Sequence, residues 1–114
     1  MKENIILTKS YNFSLKIIPM IWKIQKEQRE FVLSNQLYRS ATSIGANAEE
    51  AIGGISRKDF KAKLSISYKE ARESKYWLRL MKDTHLIDKE TAKELIGECD
   101  EILKILFTII RSSS

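Results

Sequence analysis

Apolar residues recur along the chain at alternating steps of three and four positions, in four separate segments. The clearest run lies in the second segment, at Leu37, Ala41, Ile44, Ala48 and Ala51. Such a stripe lies on one face of a helix and packs against neighbouring helices at small crossing angles. Four stripes in one short chain predict an all-α protein, an antiparallel up-down-up-down four-helix bundle. The other three stripes are Phe13, Ile17, Met20 and Ile24; Phe60, Leu64, Ser67, Ala71, Ser74, Leu78 and Met81; and Leu95, Cys99, Ile102, Leu106 and Ile109.

Residues typical of helix ends separate the stripes. Ser34, Ser56 and Asp88 are predicted N-caps, because their side-chain oxygens can accept hydrogen bonds from free backbone N–H groups. Gly53 and Gly54 are expected to end the second helix, since glycine readily adopts the left-handed conformation found at helix ends. Short connections predict one domain of antiparallel neighbours. This domain covers residues 1–114, with helices at roughly 5–27, 34–53, 57–83 and 88–111.

Pro19 interrupts the first stripe. It has no amide hydrogen, and in a helix its ring crowds the carbonyl of Leu15. Either the first helix is kinked here or it begins later than the stripe indicates. The helical pattern continues at Ile21, Trp22 and Ile24, which favours a kink.

Composition restricts the class of protein. The 114 residues are 43% hydrophobic and 31% charged, with one proline and four glycines, as expected of a soluble helical domain. No apolar run approaches the roughly 18 residues of a membrane span, and Ile5 to Leu7 is too short for the core of a signal peptide. The single cysteine, Cys99, cannot form an internal disulfide. These features predict a cytoplasmic protein without membrane contact.

Reactive side chains are few, and they do not converge. His85 is the only histidine and falls in a predicted turn, whereas Cys99 falls in a core stripe, where a thiol is inert. One histidine and one cysteine cannot form a zinc site, and Gly53–Gly54 lacks the lysine of a phosphate-binding loop. We therefore predict no enzyme activity, no catalytic or metal-binding residue, no cofactor and no small-molecule substrate.

The second helix combines small residues with a polar edge. Gly45 lies within it, and small side chains allow two helix backbones to approach closely. Polar residues at helical spacing accompany its apolar stripe and are predicted to form a structural network that fixes helix pairing. Direct contact with a ligand is the alternative, and an enzyme would need a pocket lined by Arg39, Asn47 and Glu50. The network comprises Arg39, Ser40, Ser43, Asn47, Glu50 and Glu73.

Charge is distributed unevenly among the helices. The net charge is +5. From Arg57 to Lys82 the third helix has nine basic and three acidic residues, whereas the fourth, from Asp88 to Arg111, has six acidic and four basic ones. A basic ridge, interleaved with Tyr76 and Trp77, can bind a phosphate backbone while aromatic rings stack on bases. Alternatively, the basic face of one subunit meets the acidic face of another, or the charges are simply solvated. The nucleic-acid-binding candidates are Lys9, Lys16 and Lys23, seven residues apart, and Arg72, Lys75, Arg79 and Lys82.

The segment from Gln36 to Ala51 resembles the signature of a bacterial family of four-helix bundles, often encoded within intervening sequences of 23S ribosomal RNA genes. The family pattern is roughly Gln-Leu-x-Arg-Ser-x-x-Ser-Ile-x-x-Asn-Ile-x-Glu. Lys58-Asp59-Phe60, Leu64-Ser65-Ile66-Ser67, Glu73 and Leu78 resemble the family's third helix, so the resemblance covers nearly the whole chain. Ala48 stands where isoleucine is usual, Ala51 where glycine is common, and Pro19 is atypical.

Proteins of this family are similar to the accessory variability determinant of diversity-generating retroelements, a pentameric barrel with a basic surface that works with nucleic acid and a reverse transcriptase. The resemblance implies a homopentamer and supplies no catalytic residues. The leading hypothesis is a non-enzymatic oligomer that binds RNA or a nucleoprotein partner through basic faces of helices one and three. The alternative is a structural or protein-interaction module whose charged faces pair between subunits, with no nucleic-acid role.

Overall fold

The computed structural model describes the backbone of residues 2–54 and 56–113, and the side chains of residues 5–54 and 56–113. Cα atoms come within 8 Å of one another between consecutive helices and between the fourth and the first, but not between diagonal helices of this part of the chain. The predicted all-α four-helix bundle is confirmed, with extents of 44 × 20 × 20 Å. Its helices are α1 (Lys2–Glu27), α2 (Val32–Ile52), α3 (Arg57–Asp83) and α4 (Lys89–Ser112).

The predicted stripes form the core. Every residue of the α2 stripe is buried, as is every residue of the α3 stripe except the partly buried Phe60. Met20 and Ile109 are also only partly buried. Two buried serines link α3 to α2, since the Ser67 hydroxyl donates to the Ile44 carbonyl at 2.7 Å and the Ser74 hydroxyl to Ser40 Oγ at 2.8 Å. Small hydrogen-bonding side chains therefore hold these two helices close together.

Helices α1 and α2 approach closely at Gly45. A Cβ atom on this residue would lie 3.2 Å from Ser10 Oγ, and the Ser14 hydroxyl donates to the Ala41 carbonyl at 3.4 Å. The close approach expected of the small residues in the second helix is therefore present. It also explains why glycine is tolerated within α2, where it costs about 1 kcal/mol relative to alanine.

The start of α2 differs from the prediction. The helix begins at Val32, so Ser34 lies within its first turn, buried, and the predicted N-cap role of Ser34 is wrong. The Glu30 carboxylate instead accepts hydrogen bonds from the backbone N–H groups of Val32, Leu33 and Ser34 at 2.9–3.0 Å. The Glu30 side chain, from before the helix, thus accepts the hydrogen bonds of free backbone N–H groups that a serine N-cap would otherwise accept.

The other two N-caps are confirmed. Ser56 accepts from the Asp59 N–H at 3.0 Å, and Asp88 accepts from the Thr91 N–H at 2.9 Å. The glycine pair ends α2 at Ile52, but the left-handed conformation expected there is wrong, because Gly53 has a φ of −83° and none of the described glycines has a positive φ. Gly54 instead leaves room for Asp59, whose carboxylate would lie 2.6 Å from an added Cβ.

Pro19 lies inside α1, which begins at Lys2 and continues to Glu27. The alternative of a later helix start is therefore wrong. Because proline has no N–H, the carbonyl of Leu15 loses its usual helical hydrogen bond. Pro19 is exposed, so water can bind to that carbonyl instead. None of the helices, over the described residues, has the length and apolar character needed to cross a membrane.

Candidate nucleic-acid interface

A groove of about 630 Å³ runs along the outer face of α3 beside α4. It contains three of the four residues predicted as the basic ridge, namely Arg72, Lys75 and Arg79. Lys82 lies one turn further on, outside the groove, with its ammonium 3.8 Å from the Asp83 carboxylate. We call this site the α3–α4 groove, and it is lined by Tyr68, Lys69, Arg72, Glu73, Lys75, Tyr76, Arg79 and Leu103.

The arginines of the groove are available to a ligand. Arg72 and Arg79 are exposed, and neither forms an ion pair with any side chain that the structure describes. Lys75 is different, because its ammonium lies 2.7 Å from Asp100 of α4. The groove therefore presents two free guanidinium groups, which suit the bidentate binding of phosphate oxygens.

The acidic member of the groove is engaged by another helix. Glu73 forms an ion pair with the guanidinium of Arg39 on α2. The same guanidinium lies 3.1 Å from the Glu70 carboxylate. Trp77 Nε1 donates to the same Glu73 carboxylate at 3.3 Å. Its charge is thus partly neutralised within the protein, and the groove keeps a net positive character.

Aromatic rings lie among these charges. Tyr76 is 51% exposed, and its ring meets Trp77 edge-on with centroids 5.3 Å apart. At the far end, Tyr68 lies beside Phe107 of α4 at 6.3 Å. Neither Tyr68 nor Lys69 was among the predicted site residues, although both follow the same helical spacing that identified the ridge.

The lysine row of α1 lies elsewhere, against the acidic face of α4. Lys9 pairs with Glu101 at 2.6 Å, and Lys16 pairs with Glu94 at 2.9 Å and with Glu98 at 2.6 Å. Lys23 is exposed and has no ion pair among the described residues. We call the paired region the α1–α4 seam, and it consists of Lys9, Lys16, Glu94, Glu98 and Glu101.

The seam perturbs its ionisable groups. Hydrogen bonds to Glu98 and Glu94 raise the pKa of Lys16 above its ordinary value, and the hydrogen bond from Lys16 lowers the pKa of Glu94. Both shifts favour the charged forms. The structure therefore places the two predicted rows on separate surfaces. Lys9 and Lys16 of the first row are neutralised, whereas Arg72 and Arg79 of the second have no acidic partner among the described residues.

The residues of the predicted polar network are only partly brought together. Arg39 contacts Glu73, and Ser40 accepts from Ser74, so both reach α3. Ser43 and Asn47 instead donate to carbonyls of α2, those of Arg39 and Ser43 respectively. Glu50 is exposed, and its side chain forms no hydrogen bond or ion pair within the described part of the chain.

The cysteine and the histidine do not line the groove. Cys99 is buried with its Sγ 3.1 Å from the Ala71 carbonyl, and burial, with the nearby Asp100, raises the pKa of its thiol to about 12. His85 lies exposed in the turn after α3, with a φ of 62°. Over residues 2–54 and 56–113, no three histidine, cysteine, aspartate or glutamate residues are grouped so that they could hold a metal ion.

The outer face of α1 is apolar. Tyr11, Leu15 and Trp22 are 62%, 53% and 59% exposed, and they share one side of the helix with the partly buried Ile18. We call Tyr11, Leu15, Ile18 and Trp22 the outer stripe of α1. Single exposed apolar residues are ordinary, but a continuous row of large ones is typical of an interaction surface.

Comparisons with known proteins agree on one family. The sequence model described as 23S rRNA-intervening sequence protein matches residues 2–108. The chain is also similar to a solved structure from Bacteroides thetaiotaomicron VPI-5482, described as a protein with unknown function from the S23 ribosomal protein family. The two are 43% identical, with 97% of this chain and 99% of that chain covered and a TM-score of 0.94. No curated protein matches the chain.

Proposed function

We propose, from the premise that the chain belongs to the family of 23S rRNA-intervening sequence proteins, that it is a non-enzymatic oligomer that binds RNA or a nucleoprotein partner. The observation that supports RNA binding is the α3–α4 groove, where Arg72 and Arg79 are exposed and have no acidic partner among the side chains that the structure describes. Cations that are free to pair with phosphates release counterions from RNA on binding, which is the main source of affinity in such complexes.

The α1 lysines contribute less to this proposed interface. Lys9 and Lys16 already contact carboxylates, so binding a phosphate would require them to give up those contacts. Lys23 and Lys82 remain secondary candidates beyond the two surfaces. The buried, protonated Cys99 and the isolated His85 favour a binding role over catalysis. The cytoplasmic location expected from an unpaired cysteine stays a prediction.

Salt dependence tests the RNA-binding proposal. Fluorescence anisotropy with a labelled RNA should show affinity falling as salt rises, with a slope that drops by about 0.7 for each arginine lost. The variants are Arg72→Gln and Arg79→Gln, and the matched control is Arg57→Gln, an exposed arginine of the same helix that does not line the groove. Absence of binding at low salt, or equal slopes for all three variants, would refute the proposal.

We also propose that copies of the chain associate through the outer stripe of α1. The exposed row of large apolar residues supports this contact, and a pentamer is the assembly that the resemblance implies. Pairing of charged faces between subunits has less support, because Lys9 and Lys16 meet the α4 acids within one chain.

The molar mass in solution tests this contact. Leu15→Glu should reduce the assembly, because a buried unpaired charge is strongly unfavourable at a subunit contact. Thr108→Glu adds the same charge at an exposed site of α4 and serves as the control. A Leu15→Glu protein with the wild-type mass would exclude the outer stripe as the contact.

A further inference from the structure

Three exposed side chains follow one another along the outer face of α3. Arg72, Tyr76 and Arg79 lie at intervals of four and three residues, so they share one side of the helix. At 1.5 Å per residue, the two arginines are about 10 Å apart along the axis, with the tyrosine ring between them. The α3–α4 groove therefore holds a flat aromatic surface flanked on both sides by free cations.

The tyrosine ring is supported by neighbouring side chains. Trp77 meets it edge-on at an interplanar angle of 67°, and Trp77 Nε1 donates a hydrogen bond to the Glu73 carboxylate. Glu73 is in turn paired with Arg39 of α2. A ring held in this way needs little ordering when a ligand arrives, so less conformational entropy opposes binding.

An exposed aromatic ring distinguishes between forms of RNA. An unpaired base has a free face that can stack on an aromatic side chain, whereas the faces of a paired base are covered by its neighbours. Duplex RNA is recognised instead through phosphates and 2′-hydroxyls across its minor groove, where a tyrosine ring adds no stacking. Charge alone would not favour the single strand.

We propose that the α3–α4 groove binds an unpaired segment of RNA, with a base stacked on Tyr76 and the flanking phosphates on Arg72 and Arg79. This inference rests on the RNA binding proposed above and specifies the form of RNA that the groove selects. Lys69, three residues before Arg72, lies along the same groove and extends the path of the backbone beyond that arginine.

The test compares one RNA sequence in two forms. A labelled 12-nucleotide single strand and its duplex with the complementary strand are titrated with the wild-type protein and with Tyr76→Leu and Tyr76→Phe. Tyr76→Leu should weaken binding of the single strand by about 5- to 150-fold, the range for loss of one stacked base, and leave the duplex affinity unchanged. Tyr76→Phe keeps the ring and should keep the affinity.

Phe31→Leu is the matched control. Phe31 is 46% exposed, just before α2 and outside both the groove and the outer stripe of α1, so loss of its ring should leave both affinities unchanged. Circular dichroism of each variant establishes that the helices are intact before affinities are compared.

Two further readouts separate stacking from a general structural effect. Tyr76→Leu should leave the salt slope unchanged, because no phosphate contact is lost, whereas loss of Arg72 should reduce it. A 2-aminopurine base placed in the single strand should lose fluorescence when the wild type binds, and this quenching should be absent with Tyr76→Leu.

The outcomes distinguish the two proposals. Equal affinity of the wild type for both forms, with no effect of Tyr76→Leu but a loss on substituting the arginines, would overturn the inference and leave RNA binding in place. Absence of binding to either form at low salt would overturn both. A preference for the single strand that Tyr76→Leu abolishes and Tyr76→Phe keeps would support the inference.

Discussion

The α1–α4 seam and the α3–α4 groove contain basic side chains at similar helical spacing, but their surroundings differ. In the seam, Lys9 and Lys16 each lie within 3 Å of glutamates on α4. In the groove, Arg72 and Arg79 have no acidic partner among the described residues. Spacing along one helix thus determines which side a charge occupies, while the neighbouring helix determines whether that charge is available to a ligand.

Antiparallel register explains the difference. A step of seven residues forward from Lys9 to Lys16 corresponds to a step of seven back from Glu101 to Glu94, so both lysines meet acids. A further step of seven residues forward from Lys16 leads to Lys23. The matching step back from Glu94 leads to Ile87, which lies just before α4 and provides no charge. In the groove, α4 contributes the apolar Leu103 to the lining, and its Asp100 lies beside the groove, paired with Lys75.

The largest effect on stability is expected beneath the groove, where α3 and α4 pack closely. Ala71 is fully buried and its carbonyl lies 3.1 Å from Cys99 Sγ. Ala71→Leu should separate the two helices and lower the free energy of unfolding by about 1–3 kcal/mol, with loss of RNA affinity as the groove deforms. Urea denaturation measures this change.

The control for this substitution is Ala62→Leu, at an exposed position of the same helix, which should change little. If Ala71→Leu is as stable as the wild type and binds RNA equally, the groove does not depend on this close packing.

A smaller effect on the free energy of unfolding is expected at Glu30. Its carboxylate accepts hydrogen bonds from backbone N–H groups, whereas the glutamates of the seam pair with lysines. Burial alone raises the pKa of Glu30, but hydrogen bonds from Leu33, Ser34 and Val32 outweigh it and lower the pKa. Glu30→Ala should therefore cost about 0.5–1 kcal/mol at neutral pH, in the lower range for a helix cap.

The pH dependence follows from the direction of this shift. A lowered pKa in the folded state stabilises the protein above the ordinary glutamate value of about 4.3, and this stabilisation is lost as the pH falls through the folded-state pKa. Thermal melts of wild type and Glu30→Ala should therefore converge in acid. Glu27→Ala, an exposed glutamate in the last turn of α1, is the control, and a pH-independent difference at Glu30 would argue against the carboxylate cap.

The smallest effect is expected in the seam itself. Exposed ion pairs contribute little and are screened by salt. Lys16→Gln should lower the melting temperature slightly at low ionic strength, and the difference should vanish in 1 M salt, where the Debye length is about 3 Å. A difference that persists at high salt would mean that Lys16 stabilises the seam through packing of its hydrocarbon chain.

Local signals predicted the helices and two of their caps. The stripes placed Leu37 and Leu78 in the core, and Ser56 and Asp88 cap their helices because the cap depends on residues only three positions away. Glu30 was missed because a glutamate before a helix reaches its N–H groups only when the preceding turn brings it back.

The site was harder to predict because it depends on contacts between helices. The heptad rows on α1 and α3 were visible, but their pairing depends on the register of α4. The Lys9–Lys16 and Glu94–Glu101 intervals match, but Lys16–Lys23 has the same interval, so spacing alone does not fix that register. Side-chain packing determines the ion pair between Arg39 and Glu73 and the exposure of Tyr76, and periodicity alone does not determine that packing.

Two double variants test the central claim most directly, because each removes two positive charges. Arg72→Gln with Arg79→Gln should weaken RNA binding on the order of 10- to 100-fold and leave the melting temperature unchanged. Lys9→Gln with Lys16→Gln should instead lower the melting temperature at low salt and change RNA affinity by no more than about twofold. Equal losses of RNA affinity in the two variants would contradict the claim, because net charge alone would then account for binding.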